Sequence, residues 1–347
     1  MNKESDKKRD LPDLRYDEKL FKQAYKAGLE AKRLKKLQKE RRDLIRMGLV
    51  LLGILCIGLL IFLYFHLRGE KFEYIEVGIP SKHVEFQSLE SLNYPSLKIN
   101  TNISAQSALV FSPSTGFVIY EKNSDERRSI ASITKLLTAL VVLESFDTEE
   151  VIDVKLENIP ENLDWQLELK EGDRVKVDFL LKAMLLSSYN NVGYILANAY
   201  EEGGYQGFID AMNSKASTLR MKDSMFSNPA GLDSETNYST AKDVGKLVAA
   251  VLNNGYILDI QSKSSLNVSW NSNGELVSKK IFTTNKLHDT NSYVRGLKTG
   301  ITKNAGQCFV GLFEYPSENL LITIVLGSDD RFADTEKLER ISRPLLK

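Results

Sequence analysis

Three short groups of residues could together activate a serine. Ser132 and Lys135 stand three apart in "SIASITKLLTAL" (residues 129–140), where a polar stretch gives way to an apolar run. On a helix, positions i and i+3 share one face, so Lys135 Nζ can approach Ser132 Oγ. A lysine acts as a base only when much of it is neutral, which requires burial or a nearby cation to lower its pKa. The apolar helix supplies burial; the cation must come from elsewhere in the chain. The helix N-terminus adds unpaired N–H groups suited to an oxyanion. Further along stand Ser188 with Asn190, and then Lys298-Thr299-Gly300.

Taken singly these motifs are weak. S-x-x-K occurs three times, at Ser5/Lys8, Ser132/Lys135 and Ser239/Lys242, but only Ser132 heads an apolar helix. S-x-N recurs at Ser91, Ser188, Ser265 and elsewhere, whereas K-T-G occurs once. The signal is the ordered set. Competing chemistries have less support. The only histidines are His66, His83 and His288, there is no G-x-S-x-G elbow, and His288 reads as a loop residue rather than a base. No cluster has zinc spacing and no glycine-rich loop follows a strand. Neither a metal nor a cofactor is expected, and no nucleic-acid partner.

The elements that must position these groups follow from periodicity and turn chemistry. "SALVFSPSTGFVIYEKN" is two apolar runs around a turn, a hairpin signal. A helical period runs from Val175 to Gly203 with a break near Tyr189, and "GFIDAMNSKASTLRM" is a second amphipathic helix. "STAKDVGKLVAAVLNNG" opens with Thr240 and Asp243 in capping-box spacing and is expected to stop at Gly255. Strands follow: a hairpin turning at Asn273-Gly274, a longer-looped hairpin over 307–328, and a last helix from about Asp334. Strands at both ends with helices between them predict an α+β fold, an antiparallel sheet covered by helices plus a helical sub-domain.

Charge divides the chain. Residues 1–46 carry 16 Lys and Arg against 9 Asp and Glu, although the whole chain of 347 residues balances at 46 of each. Residues 18–43 read as a basic, solvated juxtamembrane helix; the alternative is a helix drawn to anionic lipid or to a cytosolic partner. Between the halves, Met47–Leu67 runs 21 residues without Asp, Glu, Lys or Arg. As a helix it would span about 31 Å, one bilayer core. No small-residue cleavage pattern follows it, so it reads as an uncleaved transmembrane anchor. Arg41, Arg42 and Arg46 on one flank against Arg68 on the other predict a single-pass protein of the cell membrane, N-terminus cytoplasmic and bulk outside. The expected domains are a cytoplasmic tail (1–46), the anchor (47–67), a stem (68–104) and a folded domain (105–347). Cys56 falls within the anchor and Cys308 is alone outside, so no external disulfide is expected.

S-x-x-K, S-x-N and K-T-G in this order resemble the signature of the penicillin-recognising serine enzymes. "GFVIYEKNSDERRSIASITKLLTALVVLE", "LLKAMLLSSYNNVGYILA", "MNSKASTLRMKDSMFSNPAGLD" and "GLKTGITKNAGQCFVG" narrow the resemblance. They are similar to the serine-type D-Ala-D-Ala carboxypeptidases, the low-molecular-weight penicillin-binding proteins, over about residues 105–345. The resemblance implies a peptidoglycan stem peptide ending in D-Ala-D-Ala as substrate and β-lactams as covalent inhibitors. It makes Ser132 the nucleophile, Lys135 its base and Ser188 a relay to the leaving D-alanine. Asn190 would hold the peptide, Lys298 would be the second cation, and Thr299 would meet the substrate carboxylate. The oxyanion hole would be the N–H groups of Ser132 and of Ile301, the residue after Gly300. Arg331 is a further candidate for the carboxylate, or a surface arginine in a loop. Ile130 departs from a usual proline. Tyr189 replaces a small residue and creates a rival Y-x-N triplet, Tyr189-x-Asn191. The family's C-terminal β-domain and anchor helix are not matched. A class A β-lactamase, and a non-catalytic β-lactam sensor or wall-synthesis scaffold, remain as alternatives.

Overall fold

The computed structural model describes residues 101–346, apart from 115–116, 162, 164–166 and 317–318. The expected tail, the Met47–Leu67 anchor and all but the end of the stem lie outside the described residues. Among the described residues no helix is long and apolar enough to cross a membrane.

Strands β1 (Ser107–Ser112) and β2 (Phe117–Lys122) form the expected antiparallel hairpin. A 3₁₀ turn, Ala131–Thr134, then leads into α1 (Lys135–Ser145), whose first eight residues are all buried. Two three-residue strands follow, β3 (Val151–Asp153) and β4 (Arg174–Lys176). The long helical period resolves into α2 (Val177–Leu186) and α3 (Asn190–Asn198), with α4 (Gly204–Thr218) after them. Helices α5 (Ala241–Leu252) and α6 (Gly255–Gln261) precede a hairpin of β5 (Ser265–Ser272) and β6 (Glu275–Phe282). The chain closes with β7 (Val294–Thr302), β8 (Gly306–Glu314), β9 (Leu320–Ser328) and α7 (Arg331–Ser342).

The strands form two antiparallel sheets, ordered β2-β1-β9-β8-β7 and β3-β4-β5-β6. The five-stranded sheet is buried on both faces, which explains its near-continuous apolar strands. Alternate residues serve opposite sides. Leu109, Phe111, Val310, Leu312, Ile322 and Ile324 face the main core, which α1 and α5 share, whereas Ala108, Val110, Phe309, Phe313, Leu321 and Val325 pack with Leu338 of α7. Lys298 pairs with Val310 across β7 and β8, so it shares the α1 face. A lysine on β7 is thereby aimed at the helix that begins with another lysine.

Four expectations need correction. The four-stranded sheet was not foreseen, because β3 and β4 are too short to carry a period and gain their register by pairing, β3 with β4 and β4 with β5. Helix α5 ends at Leu252, short of Gly255: Asn254 Oδ1 accepts from Ile257 N–H (3.0 Å) and starts α6 there. The last helix begins at Arg331, capped by Asp330, whose Oδ1 accepts from the N–H groups of Phe332 and Ala333 (3.1 Å each). The capping pair at α5 is half made. Thr240 Oγ1 accepts from Asp243 N–H (3.0 Å), but the Asp243 carboxylate turns to Asp223 N–H and Ser224 Oγ (2.8 Å each).

Asp334 fastens the point where the chain enters the fold. Its carboxylate accepts from the N–H groups of Ser104 (3.1 Å) and Ala105 (2.8 Å) and from the hydroxyls of Ser104 (2.7 Å) and Ser328 (2.6 Å). Burial pushes its pKa up, yet these hydrogen bonds outweigh burial and hold it below the ordinary aspartate value. A depressed folded-state pKa gives stability that is present above the unfolded pKa and lost as pH falls through the folded one. Asp334→Ala should destabilise the protein by about 2–3 kcal/mol at neutral pH. Denaturant unfolding of wild type and variant should converge as pH falls through the acid range.

Candidate active site

Ser132 lies within the 3₁₀ turn and Lys135 is the first residue of α1. In a 3₁₀ turn residues three apart eclipse one another, which suits a short Ser–Lys contact. Lys135 Nζ is 2.7 Å from each of three oxygens: Ser132 Oγ, Asn190 Oδ1 and the Ala230 carbonyl. Its side chain is fully buried. Burial, and then the Lys298 charge, hold its pKa well below the ordinary lysine value. Lys298, also buried, is pushed down to about 7 by burial and then by Arg331. The charge of one predicted lysine therefore acts on the other, and each has a physical reason to release its proton readily.

The opposite wall is the break between α2 and α3. Ser188 adopts a positive φ of 61°, a sparsely populated conformation for a residue with a side chain. The loop is pinned by Ser187 Oγ, which donates to the Phe282 carbonyl (2.7 Å) and accepts from Phe282 N–H (3.2 Å). Of the two overlapping triplets, it is Ser188/Asn190 whose asparagine reaches Lys135. Asn191 is buried and its Nδ2 donates to the Leu167 carbonyl (2.8 Å), while Tyr189 sits on the rim with Lys279 Nζ 5.6 Å from its ring centre. Asn190 stands against Lys135, a contact additional to the peptide-holding role implied by resemblance.

Gly300 packs on the serine. A Cβ placed there would lie 2.9 Å from Ser132 N and 3.0 Å from Ala131 Cβ, so only glycine lets β7 come this close. Gly300 thus stands beside the N–H of Ser132, one of the two groups of the expected oxyanion pair; the other residue, Ile301, has its side chain 62% exposed. Thr299 Oγ1 is 2.5 Å from Thr284 Oγ1, a partner the sequence did not single out. Arg331 is no free surface arginine. Its Nη1 donates to the Gly300 carbonyl (2.7 Å), so it braces β7 from behind. His288 Nε2 donates to the Ser262 carbonyl (2.9 Å), a structural role. Burial pushes the Cys308 thiol up to about 11, away from reactivity. No group of His, Cys, Asp or Glu fit to hold a metal occurs among the described residues.

A serine hydroxyl against a buried lysine, a second lysine behind it and a glycine strand on its backbone make a site for acyl transfer through serine. With the two-sheet α+β fold, this is the arrangement of a penicillin-recognising serine enzyme. The D-alanyl-D-alanine carboxypeptidase family model matches residues 94–330, and the chain belongs to that family of serine peptidases. It is 32% identical over 248 residues to a D-alanyl-D-alanine endopeptidase of Pseudomonas aeruginosa, covering 70% of this chain and 79% of the relative. It is 30% identical over 208 residues to a D-alanyl-D-alanine carboxypeptidase of Bacillus subtilis, covering 59% of this chain and 52% of that one. Among solved structures, penicillin-binding protein D2 of Listeria monocytogenes, with ampicillin bound, superposes with a TM-score of 0.62 at 30% identity. That match covers 70% of this chain and 99% of the other. The Streptomyces K15 DD-transpeptidase gives 0.64 at 26%, covering 70% and 98%.

Two outcomes test this geometry. Gly300→Ala should slow acylation by a labelled penicillin about 100-fold, since the new methyl must push β7 off Ser132. Lys298→Met keeps the site apolar but removes a positive neighbour, so Lys135 becomes easier to protonate. The acid limb of the acylation rate should then move to higher pH, read from rate–pH profiles of the two proteins.

Proposed function

We propose that the protein is a membrane-anchored serine D-alanyl-D-alanine carboxypeptidase acting on peptidoglycan stem peptides at the outer face of the cell membrane. The observation that carries this reading is the buried Lys135 amine held 2.7 Å from Ser132 Oγ. Neutral Lys135 takes the Ser132 proton as Oγ attacks the carbonyl of the penultimate D-alanine. The N–H groups of Ser132 and Ile301 receive the oxyanion. The proton returns through Ser188 to the departing amine, D-alanine leaves, and water releases the acyl group from Ser132. Lys298 and Thr299 take the substrate's terminal carboxylate, the one group that distinguishes a chain end from an internal bond. A β-lactam would acylate the same serine.

A second reading has its own support. The Pseudomonas relative and one from Escherichia coli, both 32% identical, are named endopeptidases. Cleavage of a D-alanyl cross-link is the same acyl transfer with a different leaving amine, and it needs no free carboxylate beside Lys298. Met47–Leu67 would tether either activity to the membrane, with residues 1–46 in the cytoplasm and 68–104 as the stem.

The full-length chain should form a stable adduct with a fluorescent penicillin and release D-alanine from diacyl-Lys-D-Ala-D-Ala, both abolished in Ser132→Ala. Cutting of a cross-linked dimer without D-alanine release would select the endopeptidase. Rapid penicillin turnover would mark a β-lactamase, an adduct without peptide cleavage a sensor, and no adduct at all would sink both peptidase readings.

A further inference from the structure

Lys135 has more partners than a base needs, and one of them is supplied by a turn with no role assigned above. A neutral amine has two N–H bonds and one lone pair. Two of the three oxygens around Nζ, the Ala230 carbonyl and Asn190 Oδ1, can only accept. If both are satisfied, both N–H bonds are committed and the lone pair is left facing Ser132 Oγ. Without one of these acceptors the amine could rotate, and its lone pair would leave the serine.

The Ala230 carbonyl is held by the side chain of Asn228. Asn228 is buried, and its Oδ1 accepts from the N–H groups of Ala230 (3.2 Å), Gly231 (2.8 Å) and Leu232 (2.9 Å). Its Nδ2 donates to the Leu232 carbonyl (3.1 Å). The turn this makes is fitted to α1 at further points. Thr138 Oγ1 donates to the Pro229 carbonyl (2.7 Å), one helical turn beyond Lys135. Gly231 has a positive φ of 80°, and a Cβ there would sit 1.9 Å from the Ala131 carbonyl oxygen. Asp233 then ties the turn to the β7–β8 connection, accepting from Thr302 Oγ1 (2.6 Å) and Asn304 N–H (3.1 Å).

We propose that Asn228 is a positioning residue for the acyl-transfer step. By shaping the turn over Asn228–Leu232 it fixes the Ala230 carbonyl on Lys135, and so aims the lone pair of the neutral amine at the Ser132 hydroxyl. On attack, the Ser132 proton passes to that lone pair. The resulting ammonium has three N–H bonds for the three oxygens already in place, so the step needs no rearrangement of the site. This proposal rests on the serine–lysine acyl-transfer reading.

The test is stopped-flow acylation of the full-length chain by a fluorescent penicillin, separating the dissociation constant of the first complex from the acylation rate constant. Asn228→Ala should lower the rate constant about 10- to 100-fold and leave the dissociation constant unchanged. Asn228→Asp, whose carboxylate can still accept from the three N–H groups, should recover most of the loss. A purely structural role would instead reduce the fraction of molecules that react, with the wild-type rate constant in those that do. If Asn228→Ala does not accumulate as folded protein, Asn228→Ser, whose hydroxyl reaches fewer of the three N–H groups, reads the same constants. A folded variant lacking the three acceptances but acylating at the wild-type rate overturns the proposal, as does an Asp variant no faster than the Ala one. An inert wild type overturns the acyl-transfer reading itself; a reactive wild type with a normal Asn228→Ala overturns only the role of Asn228.

Discussion

The structure depends on keeping one amine out of water. An ammonium group in an apolar interior is costly, and the usual outcome is that it gives up its proton. Here the cost is built in. The first eight residues of α1, Lys135 included, are buried, and Lys298 reaches the same interior from β7. Two buried lysines close enough for one charge to act on the other would be a fault in a stability-driven design. As a source of unprotonated base at neutral pH they are coherent, and much of the surrounding architecture serves to hold them there.

That architecture converges from distant parts of the chain. The helix contributes Ser132 and Lys135, the α2–α3 break contributes Ser188 and Asn190, the 228–232 turn a carbonyl, and β7 contributes Lys298, Thr299 and Gly300. Each is locked from behind by something ordinary: Ser187 on Phe282, Thr138 on Pro229, Arg331 on the Gly300 carbonyl. Preorganisation of this kind puts donors and acceptors in place before the reaction begins. The strained Ser188 conformation is tolerated because helices on both sides over-determine it.

Much of this was legible in the sequence, and the reasons differ by element. The hairpins and long helices announced themselves through period and turn residues, because one face of each is buried or a turn demands Asn-Gly. The pairing of Ser132 with Lys135 was legible because three-residue spacing has one geometric meaning. The choice of Asn190 over Asn191 was less secure and rested on the register set by "LLKAMLLSS", since adjacent residues at a helix start differ only in which way the helix is rotated. Tertiary packing decided it by sending Asn191 to the Leu167 carbonyl. The Ala230 carbonyl left no trace in side-chain chemistry. Its one signal was "SNPAG", an Asn-Pro and a glycine marking a tight turn, which says that the chain bends but not what the bend touches.

The Asp334 clasp has a mechanical side. Ser104 and Ala105 are fastened by four hydrogen bonds to a single carboxylate, one of them through Ser328, and the Asn102 and Ile103 carbonyls accept from Lys337 and Lys122, so drag on this stretch is resisted at several points at once. Behind the clasp lies β1, zipped to a strand on each side. The strand that carries Lys298 is the outermost on the far side, separated from β1 by β9 and β8. Tension entering at Ser104 therefore has most of a sheet to cross before it could disturb the glycine that touches the serine.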